Sequence, residues 1–195
     1  VICGGTKNYN PAVSVYSVDP IKKVLRGQFQ DGNYESPVKI KYAQGETASV
    51  QVVVLPKAGD LTDVTVQVKT FTNAYGTALS APKGGWVEFV ESQYNGEKVS
   101  SNLNGGYVYP DVILPQKGTR TVGQREFGTY WYDVFIPKGA VPGEYTSVVT
   151  VSGYSNGEEF TTDLLVKMEV TSVVLEESDL MVTNWLFEDR YFHVN

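Results

Sequence analysis

The last third of the chain carries two turn signals that leave few architectures open. An aromatic, apolar run at residues 130–136 leads through a loop closing on Pro142-Gly143 to a second run at 144–151, and Asn156-Gly157 then leads to a third at 160–170. Glycine after proline supplies the φ > 0 that several turns require, and Asn-Gly is the dipeptide favoured by two-residue hairpins. In the third run Phe160, Leu164, Val166, Met168 and Val170 fall on one face, whereas Thr161, Asp163, Lys167 and Glu169 fall on the other, with Leu165 the exception. A period of two marks a strand with one dry and one wet side. The three runs are expected to be consecutive antiparallel strands, and a sheet with one apolar face needs a second layer to cover it. The expected class is therefore all-β: an antiparallel two-sheet β-sandwich, immunoglobulin-like or jelly-roll-like.

The upstream runs agree. Val13, Val15, Tyr16 and Val18 form a short opening strand ended by Asp19-Pro20, and residues 38–42 alternate apolar with charged side chains. Residues 48–55 become apolar on both sides toward their end, which places that strand centrally, and Pro56 stops it. Val64, Val66 and Val68 alternate with Thr65, Gln67 and Lys69, and a further strand at 86–90 follows Lys83-Gly84-Gly85. Residues 91–128 are rich in Asn, Gly, Ser and Pro and read as one long irregular connection, the kind of segment on which binding functions sit. No stretch shows the i, i+3, i+4 spacing of a long helix.

Composition excludes several partners. Sixteen Lys and Arg against 22 Asp and Glu give a net charge of −6 without a basic cluster, which argues against nucleic acid. No apolar run approaches the roughly 20 residues of a membrane span. The single cysteine, Cys3, permits no internal disulfide. Thirteen tyrosines suit half-buried strands and also surfaces that contact sugars. After Leu175 an acidic break, Glu176-Glu177-Ser178-Asp179, precedes a new apolar and aromatic run at 180–187. The expected division is a β-sandwich domain over 1–175, then a linker and the first strand of a truncated following domain over 176–195.

Four islands in this order carry a family resemblance: residues 13–24, residues 42–53 with Ala43-Gln44-Gly45-Glu46, the Tyr109-Pro110-Asp111 segment through Pro115, and the hairpin expected at 131–151. Together they resemble the N-terminal β-sandwich domain of glycoside hydrolase family 123-like proteins. Val112, Gln44 and the exit Val174-Leu175-Glu176 depart from that pattern, where a second proline, a basic residue and leucine-proline are usual. The resemblance implies that residues 183–187 begin a (β/α)8 barrel and that the paired catalytic acids lie further on. It implies N-acetylhexosaminide hydrolysis by the parent protein, a periplasmic, outer-surface or secreted location, and the downstream barrel as principal partner. Two other functions stay open for a sandwich: a stand-alone carbohydrate-binding module with a glycan partner, and an immunoglobulin-like interaction domain.

No catalytic, cofactor or metal residue is expected in this chain. Glu188 and Asp189 are adjacent and would point to opposite faces of a strand, so they would not flank a glycosidic bond. His193 and Cys3 have no partners in sequence that make a catalytic set; Cys3, followed by Gly4-Gly5, could also carry a lipid. The candidates for sugar or interdomain contact are Trp185, Tyr109 and Asp111. Trp131 is read as core, and Trp86 as core or close to a loop.

Overall fold

The computed structural model describes residues 10–25, 41–91, 93–94, 97–98, 108–115 and 118–176. In chain order their strands are β1 (Val13–Val18), β2 (Lys41–Gln44), β3 (Thr47–Pro56), β4 (Leu61–Val68), β5 (Thr72–Asn73), β6 (Lys83–Glu91), β7 (Gln93–Tyr94), β8 (Glu97–Lys98), β9 (Val108–Leu114), β10 (Arg120–Val122), β11 (Gly128–Phe135), β12 (Gly143–Ser155) and β13 (Glu158–Val174). Five of them form one sheet in the order β1-β3-β11-β6-β9, and a second sheet runs β10-β4-β12-β13-β2. Every pairing in the first sheet is antiparallel; the second contains one parallel pair, β13 with β2. The small β5 joins β12, and β7 and β8 pair only with each other. The sandwich is as expected.

Alternation explains how the layers meet. Ala48, Val50, Val52 and Val54 of β3 and Tyr132 and Val134 of β11 point inward from the first sheet. Tyr145, Val149 and Val151 of β12 and Phe160, Val166, Met168 and Val170 of β13 meet them from the second. Trp86 is fully buried, edge-on to Tyr130 at 5.4 Å between ring centroids, and the Arg120 guanidinium lies 5.7 Å from its ring centre. β3 is an interior strand, as its two-sided apolar character requires. Asn156 and Gly157 both take positive φ, 52° and 83°, and close the β12–β13 hairpin.

Three expectations need correction. The three C-terminal runs are not one meander, because β11 pairs with β3 and β6 while β12 pairs with β13, β4 and β5. The segment expected as a hairpin at 131–151 instead crosses from one sheet to the other. Its connection, residues 136–142 with Pro137 and Pro142, is too long for a tight turn, and Ile136 exchanges backbone hydrogen bonds with Gly45 and Glu46 before the chain leaves. Second, residues 91–128 are not wholly irregular, since β9 runs through Tyr109-Pro110-Asp111. Proline fits because β9 is an edge strand with a bulge. Third, Trp131 is half-buried on the outer face of the first sheet, not in the core between the sheets.

A buried glutamine holds the crossover. The Gln44 side chain, 6% exposed, donates from Nε2 to the Thr171 carbonyl at 3.3 Å and accepts the Gly139 N–H on Oε1 at 2.8 Å. Its own carbonyl accepts the Leu175 N–H at 2.8 Å. β2, the end of β13 and the sheet-to-sheet connection thus converge on one residue.

Gly84 lies opposite Tyr132, and a Cβ there would overlap the Trp131 carbonyl oxygen and lie 2.5 Å from the Tyr132 Cβ. Gly84→Ala should therefore destabilise the fold by about 1–3 kcal/mol through overpacking, read as a lower urea midpoint at unchanged slope. Burial, then the nearby Glu46 and Asp19 carboxylates, push the Tyr42 phenol up to about 12. Because the folded value exceeds the unfolded value of about 10, this contribution to stability is complete below pH 10 and is lost as pH rises toward 12. The Tyr42 hydroxyl also donates to the Ser49 carbonyl at 3.1 Å, a bond the phenolate cannot make. Tyr42→Phe should make stability between pH 10 and 12 less steep in pH-dependent urea titrations.

Candidate functional site

The outer faces of the two sheets differ in chemistry. On the second sheet polar groups pair with one another: Thr150 Oγ1 donates to Asp163 at 2.7 Å, and Lys167 meets Glu144 at 2.9 Å. Lys41 likewise meets Glu169 at 3.1 Å. The outer face of the first sheet is largely apolar. Tyr16, Val18, Val24, Val53 and Phe127 form a second buried cluster there. Val24 belongs to residues 19–25, which strap across this face. An Asp19 turn accepting the Ile21 N–H starts the strap, and the Gln51 Nε2 donating to the Lys22 carbonyl at 2.9 Å fastens it.

Beside the strap lies a shallow groove with about 670 Å³ of empty space open to solvent. Gln51, Trp131 and Val87 lie on the face of β3, β11 and β6 along its length, residues 20–23 form one wall, and Pro110, Asp111 and Ile113 of β9 form the other. Strand register explains the assembly: Trp131 pairs with Gln51, and Val87 pairs with Ile113, so their side chains share the face. Asp111 arrives by a different device. Glu88 pairs with Val112 while Phe89 pairs with Pro110, so Asp111 is the extra residue of a β-bulge, the irregularity that re-aims a side chain. The Trp131 indole is pinned, because its Nε1 donates to Asp133 Oδ1 at 2.9 Å and the same oxygen accepts the Ser49 hydroxyl at 2.7 Å.

Of the residues singled out in sequence, Asp111 lines this groove with its side chain exposed. Tyr109 lies on β9 opposite Val90. Trp185, His193, Cys3 and the Glu188-Asp189 pair lie outside the described residues, as does the proposed barrel strand. Trp131 and Gln51 were not anticipated at a site. The available signal was the Trp131-x-Asp133 pair, an indole two residues from a carboxylate on the same strand face. Among the described residues no group of three or more His, Cys, Asp or Glu is placed to hold a metal ion. No helix among them is long and apolar enough to cross a membrane.

A second surface lies at the end of the sandwich where β13 finishes. Val173, Val174 and Leu175 are 58%, 41% and 46% exposed, and Phe135 before the sheet-to-sheet connection and Val141 within it are 48% and 43% exposed. Lys138 and Glu176 meet at 3.5 Å beside them.

Residues 28–153, well over half of the chain, match the family model described as the glycoside hydrolase 123 N-terminal domain. Among solved structures, a family 123 glycoside hydrolase from Clostridium perfringens, studied for glycolipid glycan hydrolysis, superposes with a TM-score of 0.61 at 17% identity. The match covers 84% of this chain and 28% of that one, so this chain spans little more than a quarter of the hydrolase it resembles. The CooA pilin subunit from enterotoxigenic Escherichia coli gives a TM-score of 0.38 at 9% identity, covering 83% of this chain and 99% of the pilin. No match was found among curated proteins.

Removing the Asp133 carboxylate should free the indole. Asp133→Ala is expected to cost about 1–2 kcal/mol and to shift and broaden the Trp131 indole N–H resonance, whereas Ser49→Ala should leave that resonance in place. An unmoved indole signal in Asp133→Ala would show that packing alone orients Trp131.

Proposed function

The chain belongs to the glycoside hydrolase 123 N-terminal domain family, and from that premise we propose that it is the non-catalytic sandwich of a larger glycoside hydrolase, braced against a catalytic barrel that follows it. The family match carries this reading. The parent's chemistry, by the same likeness, is cleavage of N-acetylhexosaminides. Retaining and inverting glycosidases both need two acidic groups, or one with help from the substrate, set across the scissile bond, and those are assigned here to the barrel.

The end of the sandwich beside Glu176 supports the bracing role. Five apolar side chains stand there with about half of their surface still in water, close to where the chain passes from β13 toward the proposed linker. Covering each would stabilise the two-domain protein by about 1 kcal/mol at the usual value per area of apolar surface. Gln44 keeps this end rigid by fixing Gly139 and Leu175 relative to one another. The proposed boundaries are a sandwich domain over 1–175 and, over 176–195, a linker with the first strand of the barrel.

The full-length parent should hydrolyse a chromogenic N-acetylhexosaminide, and the 195-residue chain alone should not. Val173→Asp with Leu175→Asp should change the stability of the chain alone by no more than about 0.5 kcal/mol, as exposed sites do. In the full-length parent the same pair should lower the melting temperature and speed proteolysis near residue 176. A parent inert on every N-acetylhexosaminide tried would end the enzymatic reading, and an unchanged parent melting temperature would end the bracing one.

A further inference from the structure

We propose that the groove on the outer face of the first sheet binds a neutral sugar ring of a glycan, with Trp131 as its platform. A sugar ring has one apolar C–H face and a rim of hydroxyls, so its receptor needs a flat aromatic surface bordered by hydrogen-bonding groups. Trp131 supplies the surface. Its Nε1 is committed to Asp133, which in turn accepts from Ser49, so the ring is held before any ligand arrives and little rotamer freedom is lost on binding. Val87 and Ile113 extend the apolar strip.

The rim is polar on both sides. Asp111 stands exposed on the bulge of β9 and offers a carboxylate, while Lys22 stands exposed on the strap across the groove and offers an ammonium donor. Gln51 lines the groove between them, and its Nε2 is spent on the Lys22 carbonyl, so it fixes the strap that forms one wall. Lys22 and Lys23 against Asp111 leave the groove without a strong single-sign field, which favours an uncharged ring over a phosphate. The site is open and shallow, so binding is weak. Every residue of this groove lies within the sandwich, so binding there needs no part of any barrel.

The test is an NMR titration of the 195-residue chain with methyl β-galactoside, methyl N-acetyl-β-galactosaminide and cellobiose, each to about 50 mM. At least one should move the Trp131 indole N–H and the Asp111 and Lys22 amides, with a Kd of about 1–10 mM. Trp131→Ala should weaken that binding at least about tenfold and Asp111→Asn about threefold, the latter at unchanged melting temperature. Should Trp131→Ala fail to fold, Asp111→Asn and Lys22→Ala carry the same comparison. Absence of shifts with all three sugars, or equal binding by the variants, overturns the proposal. So does broadening of the Trp131 signal with protein concentration alone, which would make the face a contact between copies.

Discussion

A single buried amide sets the geometry of one end of the sandwich. Gln44 presents a donor to β13 and an acceptor to the connection between the sheets, and its main chain receives the Leu175 N–H. Each bond contributes about 1 kcal/mol net, yet leaving any of these buried groups unpaired would cost about 1–3 kcal/mol. The asymmetry makes the arrangement specific more than strong. It allows the chain to pass from one sheet to the other at residues 136–142 without stranding backbone polar groups. The apolar end beside Glu176 owes its shape to the same residue.

The interior of the sandwich was legible because β12 and most of β13 alternate, and because β3, apolar on both sides, reads as a central strand. The β12–β13 hairpin was legible because Asn156-Gly157 has few other uses. Three features were not. Alternation names two faces without saying which is inside, and β11 carries large aromatics on both, so Trp131 looked like core. Adjacent strands usually pair, yet the prolines flanking residues 138–141 and the loop length send β12 to the other sheet. Pro110 reads as a loop residue, since nothing local announces an edge strand whose bulge tolerates it.

The candidate site shows the same division. Asp111 stood out because the Tyr109-Pro110-Asp111 segment is one of the islands that carry the family resemblance. Gln51 was hidden inside a valine run, where its role depends on a strap 29 residues earlier in sequence. Side chains gathered from β3, β6, β9 and β11 share a face only through register, a property of the folded sheet. Local pattern finds the strands; pairing decides what they hold together.

The edges of the sheets bear on how this protein behaves in company. β9, one outer strand of the first sheet, carries a proline and an unpaired bulged residue, and the second sheet ends in strands of only three and four residues. Such borders make poor templates for further strands. At these borders a molecule rich in β-structure is guarded against growing into fibrils by stacking edge to edge with its own kind.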